Sequence, residues 1–298
     1  MRISITLYLT TILDKTKQNV SDHYSHAEEK TVYQEYWGLT ELPFENVPDP
    51  RFFYPSADHQ EALLKLFYAV NNRKGAAMLT GEIGCGKTVL SRTLIQDLPP
   101  DRYEIGLITN PSLSPADFLR EILYQLGVEI QSESKLDLLH ALNDQAVKNA
   151  NAEKDTVIIV DEAQAIEDAS TFEELRLLLN FQLNDRFLLT LLLIGQPELK
   201  ERVASIEQLS QLIALKYHLG PLKREETHSY VQTRLEKAGS KRPLFREEAL
   251  DALYRESSGI PREINNICDI CLLLGFGAKS ETIEADLIMK AAYAIKQL

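Results

Sequence analysis

The chain has 298 residues, of which 44% are hydrophobic and 26% are charged, a composition that excludes intrinsic disorder and collagen-like repeats. It contains 32 Lys and Arg against 44 Asp and Glu, so its formal charge is −12, and a nucleic-acid role would need a local basic patch. The 3 cysteines are too few for a disulfide framework and are typical of a reducing compartment.

The first part of the chain is expected to precede the fold. Residues 1–34 start with a short apolar stretch that lacks a small-residue cleavage site, and they continue as polar sequence without any period. We therefore expect a poorly ordered extension rather than a secretion signal. The sequence contains no apolar run of about 18 residues, so it predicts no transmembrane helix. We expect a cytoplasmic protein that reaches the inner face of the membrane only through a partner.

Strands and helices alternate over the next part of the chain. A stretch rich in aromatic residues and prolines, from residue 33 to 53, predicts an ordered but irregular segment, after which Ser56 is placed to cap a helix. Unbroken apolar runs between helices are typical of a parallel sheet that is covered on both faces. We therefore expect an α/β core over residues 35–220. Its predicted strands are 76–80, 103–109, 156–160, a run ending at Gly195, and 216–220.

The pattern changes after Pro221, where the predicted strands stop. Four segments with a helical apolar period follow, and glycines and prolines separate them. They predict a small all-helical domain over residues 221–298. The predicted helices are 223–238, 246–257, 261–278 and 283–296.

The stretch between the strand 76–80 and the next helix has the spacing of a phosphate-binding loop. The residues from Gly81 to Thr88 read G-E-I-G-C-G-K-T and fit the pattern G-x-x-x-x-G-K-[ST]. In such a loop backbone N–H groups surround the phosphates, the lysine reaches the β and γ phosphates, and the hydroxyl binds Mg²⁺. We therefore expect ATP and Mg²⁺ as ligands. The expected nucleotide contacts are Gly81, Glu82, Ile83, Gly84, Cys85, Gly86, Lys87, Thr88 and Val89.

An acidic pair marks the second half of the expected site. Asp161 and Glu162 directly follow the apolar run TVIIV, and ligands of open parallel sheets bind at the carboxyl ends of the strands. There Asp161 would hold Mg²⁺ together with Thr88, and Glu162 would orient and deprotonate the attacking water. A glutamate beside the metal-binding aspartate favours hydrolysis over transfer of the phosphoryl group to a second substrate.

Two further residues are candidates for contact with the terminal phosphate. Gln196 follows the apolar run that ends at Gly195, where its amide could position water or detect the γ-phosphate. Arg262 begins a helix of the C-terminal domain and could reach back to the nucleotide, so that hydrolysis would alter the angle between the domains. With Lys87 and Glu162, these residues complete the predicted catalytic set.

Several stretches together resemble the AAA+ ATPases of the ExeA or GspA type, known from the general secretion pathway. They include LTGEIGCGKT, VIIVDEAQAI, LLLIGQPEL, YHLGPLKREET and SSGIPREIN, and the resemblance extends over residues 35–298. It implies a five-stranded sheet of order 5-1-4-3-2, ATP bound between the core and a helical lid, homo-oligomers, and a protein partner in an envelope assembly. It also implies that Gln196 is the first sensor and Arg262 the second.

The sequence departs from this family in two respects. Family members carry an arginine just before the last core strand, whereas this sequence has Leu212, so we expect slow turnover unless Arg202 or Lys216 takes over. Longer members continue into a membrane span and a peptidoglycan-binding module; here the sequence ends with the lid, so we expect no direct envelope anchor.

The two remaining sequence features concern cysteine. Cys85 occupies a variable position of the phosphate loop, so we expect oxidation of its thiol to block nucleotide binding and a thiol-alkylating reagent to abolish ATP binding. Cys268 and Cys271 form a C-x-x-C inside a predicted helix, and we interpret them as packing residues rather than as a redox or metal pair.

Two alternatives to the secretion ATPase remain open from the sequence. The same core could serve an ATP-dependent DNA-binding adaptor for transposition, although the charge of −12 and the lack of a dense basic stripe disfavour this use. It could also serve a nucleotide-dependent scaffold with little turnover, which Leu212 would favour.

Overall fold

The computed structural model describes residues 33–132 and 134–297, so the predicted N-terminal extension lies almost entirely outside the described residues. Contacts within the chain define two compact units. The larger comprises residues 47–226 and 260–262, and the smaller comprises the described residues up to 46 together with 227–259 and 263–297. We describe each unit separately.

The larger unit is built on a five-stranded sheet in which every pair of neighbouring strands is parallel. The strand order is β2-β3-β4-β1-β5, which confirms the order and the α/β class expected from the sequence. The last strand begins at Ile213, earlier than predicted, because residues 214–218 of this edge strand are all partly or fully exposed and its apolar signal is weak. The strands are β1 (Ala76–Gly81), β2 (Tyr103–Ile108), β3 (Asp155–Val160), β4 (Leu189–Gly195) and β5 (Ile213–Leu219).

Helices cover both faces of the sheet. Alternate residues of a strand face opposite sides, so Ile158 of β3 packs in one core cluster and Ile159 in the other. This double burial explains the unbroken apolar runs in the central strands. The helices of this unit are α2 (Ala57–Asn71), α3 (Lys87–Asp97), α4 (Pro115–Gln125), α5 (Lys135–Asn151), α6 (Ala169–Leu178), α7 (Glu198–Ala204) and α8 (Glu207–Leu212); the short α1 (Gln34–Trp37) belongs to the smaller unit.

Serine caps set the start of two of these helices. The Ser56 hydroxyl accepts a hydrogen bond from the backbone N–H of His59, and Ser114 does the same for Asp117, with Pro115 in the first helical position. The cap at Ser56 confirms the helix start predicted from the sequence. The two caps also fix where α2 and α4 approach the sheet.

The smaller unit is helical, as predicted for the C-terminal part of the chain. Its helices are α9 (Arg224–Lys237), α10 (Glu247–Ser257), α11 (Pro261–Gly277) and α12 (Ala285–Ile295), of which α9 and α11 start in the larger unit. Cys268 and Cys271 are buried in α11 as free thiols, which agrees with their interpretation as packing residues. Among the described residues, no helix combines the length and the hydropathy needed to cross a membrane.

The boundary between the units differs from the one drawn on the sequence. Residues 35–46 were expected in the α/β core, but their contacts are with the C-terminal helices. The Trp37 indole donates to the carbonyl of Leu272, and the Arg234 guanidinium donates to the carbonyls of Pro43 and Glu45. Buried carbonyls need such partners, and the helices supply them.

Candidate functional site

The phosphate loop connects β1 to α3, where the sequence predicted it. Gly84 and Gly86 have φ values of 82° and 97°, a backbone region that favours glycine. Gly81 is required for a different reason, since a Cβ atom there would lie 2.6 Å from the carbonyl oxygen of Leu219 on β5. Three glycines of the motif are therefore explained by the backbone alone.

Lys87, the first residue of α3, places its ammonium group inside the loop. Its Nζ donates to the carbonyl oxygens of Gly81 at 2.7 Å and Glu82 at 2.9 Å. Burial lowers the pKa of Lys87, while the nearby carboxylates of Glu162 and Asp161 act in the opposite direction. A buried cation held by exchangeable carbonyl contacts is suited to receive an anionic ligand.

Thr88 and Asp161 bring the two halves of the predicted site together. Thr88 lies near the carboxylate of Asp161 and lowers its pKa, and this carboxylate accepts a hydrogen bond from the backbone N–H of Glu162 at 2.9 Å. Burial raises the pKa of Asp161 above its ordinary value of 3.8. A hydroxyl beside a carboxylate matches the hard oxygen ligands that Mg²⁺ takes from a protein when phosphates and water supply the rest. These residues therefore fit a magnesium ion.

A hydrogen-bonded trio lies at the ends of the neighbouring strands β3 and β4. The Gln164 amide nitrogen donates to Oε2 of Glu162 at 2.5 Å, and the Gln164 carbonyl oxygen accepts from the backbone N–H of Gln196 at 2.9 Å. The Gln196 side chain also donates to Oε2 of Glu162, at 3.4 Å. Glu162 adopts a left-handed backbone with φ 53°, so its carboxylate is held by both backbone and side-chain geometry.

Gln164 lies within the stretch VIIVDEAQAI, but no role was predicted for it. The structure makes it the link between Glu162 and Gln196, and a Cβ atom at Gly195 would lie 2.6 Å from its Oε1. His59, whose ring contacts the phosphate loop, was missed altogether. For Gln164, the one indication in the sequence was its position two residues after Glu162. Nothing in the sequence indicated His59, because this residue lies 26 positions before Cys85, which it contacts.

Arg262 contacts the loop through its backbone. Its N–H donates to the carbonyl of Gly84 at 3.3 Å, and a Cβ atom at Gly84 would lie 2.7 Å from the Cβ of Arg262. Residues 260–262 consequently belong to the larger unit although α11 continues into the smaller one. The Arg262 side chain is exposed, and its role as a sensor stays a prediction.

Leu212 and its two suggested substitutes are all engaged within the chain. Leu212, the last residue of α8, packs on the core cluster that also holds Leu209 and Ile213. The Arg202 guanidinium donates to the carbonyl of Ile166, and Nζ of Lys216 donates to the Ser210 hydroxyl at 2.9 Å. Packing accounts for the leucine, and both cations have intramolecular partners.

The remaining loop residues differ in exposure. Glu82 and Ile83 are exposed, Val89 is half-buried, and Cys85 is fully buried in the core cluster below the loop. Because the side chain points into the core and only its backbone takes part in the loop, the structure disfavours the predicted block of nucleotide binding by a thiol reagent. Burial also raises the pKa of this thiol, which lowers its reactivity.

A parallel sheet of this order, with a phosphate loop after β1 and an acidic pair after β3, defines a P-loop protein of the AAA+ class. The family described as AAA domain matches residues 70–203. Solved structures support the fold: the Aeropyrum pernix ORC2 protein has a TM-score of 0.66 at 16% identity, covering 85% of this chain and 70% of that chain. Drosophila ORC bound to DNA has a TM-score of 0.63 at 17% identity, covering 95% and 72%.

A curated relative narrows the class. The chain is 41% identical over 267 residues to general secretion pathway protein A of Aeromonas hydrophila, and the match covers 89% of this chain and 48% of the relative. Over most of its length the chain is therefore similar to one part of general secretion pathway protein A. It spans about half the length of that relative.

Proposed function

We propose that this protein binds ATP with Mg²⁺ and hydrolyses the γ-phosphate. The observation that carries the proposal is that the loop after β1 and the acidic pair after β3 lie together, with Thr88 near Asp161 and the Lys87 ammonium near both carboxylates. Lys87 would neutralise the phosphates, and Thr88 and Asp161 would hold the metal. When bound, Mg²⁺ supplies charge stabilisation at the phosphate oxygens.

Glu162 would orient and deprotonate the attacking water. Two amides, from Gln164 and Gln196, hold its Oε2 atom and leave Oε1 for the water. The buried ammonium of Lys87 contributes a favourable charge nearby. Gln196 as the first sensor and Arg262 as the second would report the presence of the terminal phosphate, Gln196 through Glu162 and Arg262 through the loop at Gly84.

We further propose that nucleotide state governs oligomerisation and the assembly or regulation of a secretion or pilus-type envelope machine. The support is the identity of 41% to general secretion pathway protein A, maintained over 89% of the chain. The machine would be contacted through a protein partner at the cytoplasmic side. A surface of net charge −12 favours a protein over DNA as that partner.

One observation favours a second candidate, a nucleotide-dependent scaffold with little turnover. Leu212 packs on the core and offers no positive charge to a neighbouring subunit, and an arginine acting there contributes on the order of a thousandfold in rate. A DNA-binding adaptor has no such support, because the likeness to DNA-bound ORC at 17% identity concerns the fold alone.

Two variants test the ATPase proposal. Lys87→Ala removes charged hydrogen bonds worth about 1.5–3 kcal/mol each and should weaken ATP affinity at least tenfold. Glu162→Gln should keep ATP affinity and reduce turnover to a small residual rate. The exposed residues Lys200 and Glu201 provide matched controls as Lys200→Ala and Glu201→Gln. Hydrolysis by Glu162→Gln at the wild-type rate would show that Glu162 is not the base.

Size-exclusion chromatography and rate measurements separate the functional alternatives. ATP-dependent oligomers with steady turnover support the envelope ATPase. Oligomers that form with a non-hydrolysable analogue but show no turnover support the scaffold. Stimulation of turnover by duplex DNA supports the adaptor and contradicts the preference for a protein partner.

A further inference from the structure

A buried histidine lies against the phosphate loop, outside the set of residues with proposed roles. His59, in the first turn of α2, is 4% exposed, and its Nε2 lies 3.0 Å from the carbonyl oxygen of Cys85. A Cβ atom at Gly86 would lie 2.9 Å from the same Nε2. The ring therefore touches the peptide that joins Cys85 to Gly86.

Hydrogen-bond partners determine the protonation of this ring. The Cys85 carbonyl only accepts, so Nε2 must carry the proton and donate it. Nδ1 lies 2.7 Å from the Ser56 hydroxyl, which donates to it while accepting the capping N–H of His59 itself. Burial lowers the pKa of His59 and outweighs the opposing effect of the Asp58 and Glu226 carboxylates. The ring is thus neutral, with a single tautomer.

The contact has a consequence for the loop because a trans peptide is planar. The C=O bond of Cys85 and the N–H bond of Gly86 lie in their shared peptide plane and point in opposite directions within it. Holding the carbonyl against His59 aims the Gly86 N–H away from the ring. The φ of 97° at Gly86 then leads directly into α3, whose first residue is Lys87.

We propose that His59 is a positioning residue that holds the Cys85–Gly86 peptide so that the Gly86 N–H faces the phosphates of the nucleotide. This inference rests on the proposed nucleotide binding and assigns the orientation of one donor in the loop to a side chain on another helix. The ring does not itself touch the ligand. Its effect should appear in affinity, because the donor serves bound substrate and transition state alike.

Two substitutions separate the hydrogen bond from packing. His59→Phe keeps a ring in the buried space and removes the donor, whereas His59→Gln places an amide nitrogen the same number of bonds from the backbone. We expect the dissociation constants of ADP and ATP, measured by calorimetry, to rise about tenfold in His59→Phe and to stay within about threefold of wild type in His59→Gln. KM should rise in His59→Phe with kcat unchanged. His140→Phe, at an exposed histidine of α5, is the control.

The outcomes distinguish this inference from the proposed function. A wild-type protein that binds neither ADP nor ATP contradicts the proposed function itself. If His59→Phe binds nucleotide as tightly as the wild type does, the proposed role of His59 is wrong. It is also wrong if His59→Gln loses as much nucleotide affinity as His59→Phe. If His59→Phe does not fold, the NMR chemical shifts of the ¹⁵N atoms in the wild-type His59 ring identify its tautomer instead. A proton on Nε2 supports the hydrogen bond to Cys85, and a proton on Nδ1 refutes it.

Discussion

Replacing Gln164 with methionine should slow ATP hydrolysis without weakening ATP binding. Methionine has a similar length and volume but cannot donate to Glu162 or accept from the Gln196 backbone. Both contacts are short, at 2.5 Å and 2.9 Å. The variant would therefore free the proposed base while leaving Lys87 and Thr88, which hold the phosphates and the metal, undisturbed.

The magnitude follows from the contact to the carboxylate. A hydrogen bond to a charged group contributes about 1.5–3 kcal/mol, and each 1.4 kcal/mol of transition-state stabilisation is about tenfold in rate. The second amide, from Gln196, lies at 3.4 Å and holds the same oxygen less tightly. We therefore expect kcat to fall by roughly 10-fold to 100-fold, with KM changed by less than about threefold.

Steady-state phosphate release measures the fall in kcat. A double-mutant cycle tests whether Gln164 acts through Glu162. If Gln164 acts through Glu162, then Gln164→Met should add no further loss in the Glu162→Gln background. Gln211→Met is the matched control, because Gln211 also pairs with a glutamate, Glu207 at 3.2 Å, but lies on the exposed surface of α8. An unchanged kcat in Gln164→Met would refute the positioning of Glu162 by Gln164. So would a fall in kcat that is as large in the Glu162→Gln protein as in the wild type.

Three other predictions follow from the site. Because burial raises the pKa of Asp161 above 3.8, its charge costs stability at neutral pH. Asp161→Asn should therefore raise the unfolding free energy by about 0.5–2 kcal/mol while abolishing Mg²⁺-dependent turnover. The gain in unfolding free energy should shrink as the pH falls through the pKa of Asp161 in the folded protein. It should disappear below about 3.8, where the carboxyl is protonated in both the folded and the unfolded state. Denaturant titrations at several pH values test this, and a gain that does not change with pH would contradict it. Leu212→Arg should lower the unfolding free energy by about 1 kcal/mol through lost packing, yet raise turnover at least tenfold in the oligomer. If the rate does not rise, Leu212 is not the cause of slow hydrolysis. Cys85 is buried with a raised pKa, so mass spectrometry should find it alkylated by iodoacetamide only after unfolding, and rapid labelling of the native protein would contradict its placement in the core.

Much of the fold could be predicted because it depends on short-range patterns. The run VIIV at 157–160 is apolar throughout because β3 is buried on both faces, and the spacing of Gly81, Lys87 and Thr88 is a local property of one loop. The strand order came from resemblance to a family and not from periodicity, and the sheet confirms it. The start of the edge strand β5 was misplaced because its half-exposed pattern resembles that of a loop.

Contacts between distant residues were beyond the reach of such patterns. Nothing local indicates that residues 35–46 pack on helices some 200 positions later, as the hydrogen bond between Trp37 and Leu272, separated by 235 positions, shows. The position of Cys85 in a ligand loop does not tell where its thiol points. Only the direction of its side chain, set by the backbone of that loop, places it in the core.

The phosphate loop, the acidic pair and the alternation of strands and helices could be predicted from the sequence, since each depends on residues adjacent in the chain. Which side chains hold these groups in place is known only from the folded chain. Gln164 reaches Gln196 across neighbouring strands, and His59 reaches Cys85 from another helix. Such contacts depend on strand order and helix placement, and a hydrogen bond made over 32 or 26 positions leaves no period in the sequence.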